Sequence, residues 1–286
     1  MRHGDEKERA PSGPFDESDH LAPSEKDQAA QHAAPPALVI HEILRKEGED
    51  ELGRRPGAVF WSGLAAGLSM GFSFLALALI QSQLPQGPAR HLVASAGYSL
   101  GFVIVVLGRQ ELFTESTLTA VLPLLVKRDW GTWLSLLRFW AVVLAANLLG
   151  TLIFAGLLAI NGLFNDDLQT ALREISRDAV SGPFWPTAIK AIFAGWLIAL
   201  MIWLLPSARS ARLFVILLLT YVVAIGRFSH VIAGSVEAFY AMFAGQASVY
   251  EYVMGFFVPT ILGNTIGGVA LVALLNHAPL VSELQD

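Results

Sequence analysis

Residues 213–243 read LFVILLLTYVVAIGRFSHVIAGSVEAFYAMF. Thirteen apolar or weakly polar residues, Leu213–Ile225, stop at Gly226-Arg227-Phe228-Ser229-His230, and a second apolar run follows, Val231–Phe243. A helix needs roughly 20 apolar residues to cross the hydrocarbon core, so neither run spans alone. The two runs together form one broken segment, whose polar backbone lies at membrane depth. Such backbone is tolerated only where protein buries it or where it lines a wet cavity.

The same pattern occurs earlier. Leu92–Leu107 stops at Gly108-Arg109-Gln110-Glu111 and resumes as Leu112–Val126. Four uninterrupted runs, Ala58–Gln81, Leu134–Ile160, Pro186–Leu205 and Tyr252–Leu275, read as full spans. The broken segments are then second and fifth of six. The segments that follow them also match, with Asn147-Leu148-Leu149-Gly150 in the third and Asn264-Thr265-Ile266-Gly267 in the sixth. Three spans per repeat is an odd number, so the halves are expected to be inverted, with a permeation site between them at mid-membrane. Gly63, Gly67 and Gly71 recur at the spacing of close helix packing. Lys and Arg set the orientation. Arg45, Lys46, Arg54, Arg55, Lys127, Arg128, Arg209 and Arg212 fall on one side, against Arg90, Arg173 and Arg177 on the other, which puts both termini in the cytoplasm.

Composition agrees with a multi-pass membrane protein. The chain of 286 residues is 54% hydrophobic and only 15% charged, where soluble domains carry about 25% charged residues. It has no cysteine, which excludes thiolate metal sites, iron–sulfur clusters and thiol nucleophiles. Its net charge of -5 argues against a nucleic-acid partner. Residues 1–37 are polar and rich in Pro and Ala, and are expected to be a disordered cytoplasmic tail. Residues 38–55 read as an amphipathic helix, lying on the membrane or packing under the protein. Residues 56–277 form the channel domain, and 278–286 a short cytoplasmic tail.

Ionisable residues inside membrane segments are functional candidates. The breaks offer Arg109, Glu111, Thr114 and Glu115, then Arg227, His230 and Glu237. The arginines are expected to pair with carboxylates among Glu111, Glu115 and Glu237; Glu115 and Glu237 read equally well as pore-lining. His230 is the one histidine inside the membrane region, and histidine exchanges a proton near neutral pH. Lys190 either attracts anions at the outer end of the fourth segment or snorkels to the interface. No second His or Cys lies at ligand spacing, so no metal, cofactor or catalytic site is expected.

Three runs resemble the formate–nitrite transporter family: Glu111-Leu112-Phe113-Thr114, Phe228-Ser229-His230-Val231-Ile232-Ala233, and Gly263-Asn264-Thr265-Ile266-Gly267-Gly268. The likeness covers about residues 56–275. Ile40-His41-Glu42, Glu47-Gly48-Glu49 and Val231–Tyr240 look most like its YfdC-like branch. The resemblance implies an all-α, aquaporin-like protomer of six spans, with an inverted 3+3 repeat and broken second and fifth helices. It implies a homopentamer in the lipid bilayer of a bacterial-type inner membrane, with one pore per protomer. It also implies passage of small monovalent anions or their conjugate weak acids, with or without a proton. By motif, His230 is the central pore histidine and Thr114 its partner, Leu112 and Phe113 narrow the pore, and Asn147 and Asn264 are helix-packing or pore-near amides.

The chain also departs from that pattern. Phe228 is followed by Ser229 where the family commonly has Glu, Gly234 stands where Asn is common, and Glu115 stands where small residues are usual. Losing an amide donor and gaining carboxylates disfavours an anion unless Arg109 and Arg227 offset them. Two rival readings are a water or neutral-solute channel and a closed-pore membrane scaffold or sensor. The Asn-Pro-Ala pair of water channels is absent, and broken helices bring a scaffold no evident gain.

Overall fold

The computed structural model of the protein describes residues 18, 20–276 and 278, and among these the regular elements are all helical. The chain divides at Ala37 into two units. In the first, Pro23–His32 forms helix α1. This helix falls within the stretch 1–37 that the sequence reads as a tail. The helix starts with Pro23 in its first turn, and the Glu25 carboxylate accepts the Ala22 N–H at 2.7 Å, half of a capping box. Residues 1–17 of the expected tail, and 279–286 of the C-terminal one, lie outside the described residues.

The second unit opens with α2, Ala37–Gly53, followed by α3, Pro56–Gln83. A run of α4 (Pro88–Ala94), a 3-10 turn and α5 (Ser99–Leu107) comes next. Helix α6 (Phe113–Thr119) and α7 (Leu122–Lys127) lead into α8, Trp130–Leu158. Beyond α9 (Asp166–Val180) lies α10, Phe184–Ala208. Helices α11 (Arg212–Ile225) and α12 (Val231–Phe243) precede a last segment, Glu251–Leu274, in which α13 (Val258–Thr265) joins two stretches of π-helix. Among the described residues, five helical runs are long and apolar enough to cross a membrane. One of these, Phe184–Ile225, turns back at Arg209 (φ 38°), so that α10 and α11 pack on each other.

Glycines let the long helices meet at backbone distance. A Cβ on Gly67 of α3 would lie 2.2 Å from the Asn147 carbonyl oxygen of α8. A Cβ on Gly195 of α10 would lie 2.2 Å from the Asn264 carbonyl oxygen of α13. The same contact is thus made twice, once in each half of the chain, each time against the asparagine of the Asn-x-x-Gly run. Gly63 and Gly71 flank the first contact on the same face of α3.

The two ends of α3 mark two sides of the unit. At its start, Arg54 pairs with Glu111 beside α2. At its far end, Gln81 donates to Glu174 of α9 at 3.2 Å. Helix α2 contacts the rest of this unit. Leu44 is buried, His41 meets Trp203 edge-on, and a Cβ on Gly48 would lie 2.0 Å from the Thr119 carbonyl oxygen. Thr119 Oγ1 donates to Glu51 at 2.7 Å, and Lys127 pairs with Glu49 at 2.9 Å.

Candidate functional site

Both interruptions have one backbone design. Helix α5 ends with Gln110 N–H donating to Val105 O at 3.0 Å and Arg109 N–H to Val106 O at 3.3 Å. Helix α11 ends with Phe228 N–H donating to Val223 O and Arg227 N–H to Ala224 O, both at 3.0 Å. This is the Schellman closure, which needs a left-handed residue. Arg109 (φ 50°) and Arg227 (φ 49°) occupy that position where glycine is usual, at roughly 1–2 kcal/mol each. The chain then runs extended to Leu112 (φ -111°, ψ 127°) and His230 (φ -114°, ψ 125°), which cap α6 and α12.

The freed backbone groups go to two buried asparagines. Asn147 Oδ1 accepts Phe113 N–H at 2.9 Å, and its Nδ2 donates to Gly63 O at 2.8 Å and Glu111 O at 2.9 Å. Asn264 Oδ1 accepts Val231 N–H at 2.8 Å, and its Nδ2 donates to Ala191 O at 2.8 Å and Ser229 O at 2.9 Å. Each amide ties a break to two long helices, and so satisfies polar backbone where no water is at hand.

Between the breaks, His230 meets Thr114. Its Nδ1 accepts the Ala233 N–H at 3.1 Å, so the proton of the neutral ring is on Nε2, which donates to Thr114 Oγ1 at 2.7 Å. His230 is 1% exposed and Thr114 fully buried. The Phe102 ring stands edge-on to the imidazole at 5.0 Å. Phe102 was not legible in sequence, since one phenylalanine in an apolar run looks like any other.

A cavity of about 1070 Å³ opens on the α2 side. Leu112, Glu115, Ser116 and Thr119 line it from α6, at the i, i+3, i+4, i+7 spacing of one helix face. Glu47 and Glu51 line it from α2, and Gln110 and Glu111 from the break. Leu112, 1% exposed, lines this cavity two residues before Thr114. Phe113 is turned into the protein against Trp140, at 5.8 Å. Phe228 stacks on Phe193 at 5.3 Å, and Gly234 is pressed against the Phe256 ring, which a Cβ would approach to 2.5 Å.

The charged residues depart from the expected pairing. Arg109 reaches Glu47 of α2 at 3.5 Å, and Arg227 reaches Asp178 of α9 at 2.8 Å. Glu111 is paired with Arg54 instead. The reason is backbone geometry: the left-handed closure turns each arginine outward, to a surface helix at its own side. Glu115 and Glu237 are then left half-buried with no ion pair among the described residues, and Glu115 Oε1 is sealed from solvent without a hydrogen-bond partner. Lys190 is exposed on α10. Among the described residues no group of His, Cys, Asp or Glu is arranged to hold a metal ion.

Residues 38–278 match the family profile described as formate/nitrite transporter. The chain belongs to this family. It is 40% identical over 250 residues to the inner membrane protein YfdC of Escherichia coli K12, covering 87% of this chain and 81% of that one. It is 24% identical over 244 residues to the formate channel BtFdhC of Bacillus thuringiensis, covering 84% and 93%. Among solved structures, a pentameric formate channel with formate bound superposes with a TM-score of 0.69 at 24% identity, over 79% of this chain and 98% of that one. The fold is thus that of these membrane channels.

Proposed function

We propose that the protein is a transmembrane channel for small monovalent anions or their conjugate weak acids, of the formate and nitrite type, with the path passing between the two helix breaks. The observation that carries this reading is the Thr114–His230 contact, made across the breaks and buried between their asparagine ties. A buried donor pair on the path gives a permeant a hydrogen bond where bulk water is excluded, and an unsolvated anion otherwise pays several kcal/mol or more to enter. Leu112 supplies the dry constriction. The matched backbone of the two breaks, with equivalent asparagines and helix contacts, supports six spans in an inverted 3+3 repeat. The charge bias of the flanks supports cytoplasmic termini. The pentameric neighbour supports a homopentamer with a pore in each protomer.

Proteoliposomes carrying the purified protein test the reading with formate, nitrite, acetate, lactate, hydrosulfide, fluoride and glycerol. Flux of one or more of the weak-acid anions is expected above protein-free vesicles. His230→Phe is expected to assemble normally and lose at least about tenfold of that flux, the scale of one or two lost hydrogen bonds. Glycerol flux alone would replace the reading with a neutral-solute channel, and wild-type flux in His230→Phe would remove His230 from the path.

A further inference from the structure

The geometry points to Glu115 and Glu237 as the groups that give a proton to the permeant and take it back, one on each side of the Thr114–His230 pair. This rests on the channel reading above and names the form in which the permeant crosses.

The sides follow from where the helices run. Helices α6 and α12 both begin at the centre, where Thr114 meets His230. Helix α6 leads to Thr119 and on through α7 to Lys127, which contact α2. Helix α12 packs on α9, at the opposite end of α3. Glu115 is one turn beyond Leu112 on the cavity face of α6, about 4.5 Å along the axis. Glu237 is two turns beyond His230 on the matching face of α12, about 10.5 Å along. A permeant therefore passes a carboxyl, the Thr114–His230 pair with the dry Leu112 beside it, and a second carboxyl.

Three facts make these two carboxyls the proton carriers. They are unpaired, whereas Glu111 and Glu47 are engaged by Arg54 and Arg109, and Glu51 by Thr119. On the other side, Asp178 is engaged by Arg227, while Tyr98 and Asp178 are the groups within electrostatic reach of Glu237. Glu115 has Glu111, Glu47 and Glu51 within reach. Second, Glu115 lines the cavity, and its Oε1 has no hydrogen-bond partner among the described residues. Third, His230 is committed: its Nε2 proton is given to Thr114 and its Nδ1 lone pair is filled by Ala233 N–H. It donates a hydrogen bond but has no free site for a second proton.

The step balances. The carboxylic acid of Glu115 gives up its proton as an O–H bond forms on the anion, and the carboxylate left behind takes a proton from water in the cavity. The neutral acid crosses past Leu112 and His230. At Glu237 its O–H bond breaks, the carboxylate there takes the proton and releases it to water on the α9 side. One proton accompanies each anion, and the reverse order serves the opposite direction.

Proteoliposomes with an internal pH dye test this, using labelled formate and, as an anion of a strong acid, nitrate. Wild type, Glu115→Gln, Glu237→Gln and Glu115→Asp are compared as assembled protein between about pH 6 and pH 8. Wild type is expected to take up one proton per formate, exclude nitrate, and hold a shallow pH profile because the protein supplies the proton. In either Gln variant only acid already neutral in bulk crosses, so formate flux should fall about tenfold per pH unit. Glu115→Asp should restore part of the shallow profile. A merely structural role would lower flux at every pH without steepening the profile, and that outcome overturns the proposal. So would nitrate passing wild type as fast as formate, or a Gln variant with the wild-type profile. Absence of any formate flux in wild type would instead overturn the channel reading, and this proposal with it.

Discussion

At the scale of single residues, the two asparagines do the most for the least surface. Each closes three hydrogen bonds, and each joins a break to two helices distant in sequence. Removing the amide strands one buried N–H and one carbonyl of the break, at about 1–3 kcal/mol for each group left unpaired. Asn264→Ala should therefore lower stability by about 2 kcal/mol or more, read as a lower unfolding temperature in detergent and a smaller assembled yield. A variant with wild-type thermal stability would mean that water satisfies the break. The asparagines were visible in the sequence because each stands three residues before a glycine in a matching segment, Asn147 with Gly150 and Asn264 with Gly267. The partners of the arginines were not. Pairing was sought among neighbours in the broken segments, but a left-handed Arg109 or Arg227 points outward, and a backbone angle leaves no mark when arginine takes the place of glycine.

At the scale of the element, α2 is held by opposed titrations. Burial, with the Glu111 carboxylate next in effect, holds the Glu51 carboxyl well above the usual carboxylate range. A carboxyl raised on docking contributes stability that is fully present below its free value near 4.5 and lost as pH rises through the raised one. Glu49 has the opposite sign. Its hydrogen bond from Lys127, with Arg45 nearby, holds it down to about 2, so its contribution is present above about 4.5 and lost as pH falls toward 2. Hydrogen-exchange protection of residues 37–53 should therefore peak in mild acid and decline on both sides. Glu51→Gln should remove the decline on the alkaline side and leave the acid one. Equal protection curves for the two proteins would mean that Glu51 does not hold the helix. The amphipathic pattern of α2 was legible from sequence, but its docking was not. The decisive contacts are Gly48 against the Thr119 carbonyl oxygen and Glu51 on the Thr119 hydroxyl, and a glycine within a polar helix reads as a weak point until its neighbour is known.

At the scale of the whole molecule, the spans carry large apolar side chains outward as well as inward. Trp61, Leu134, Phe193 and Phe214 are exposed on α3, α8, α10 and α11, as expected where lipid or another protomer covers them. The Thr114–His230 pair lies inside one chain, so the proposed pentamer would hold five separate paths rather than one on its axis. Mixing distinguishes the two. Wild-type and His230→Phe chains, co-expressed in varied ratio with different affinity tags, give mixed oligomers whose composition is fixed by the ratio. Separate paths make flux proportional to the wild-type fraction. A shared axial path lined by all protomers makes flux fall far more steeply, because a single altered chain affects every passage. Proportional flux in particles with the detergent-corrected mass of five 30.9 kDa chains is the expected result. A steep curve, or a mass matching another number of chains, would move the path out of the protomer or change the assembly around it.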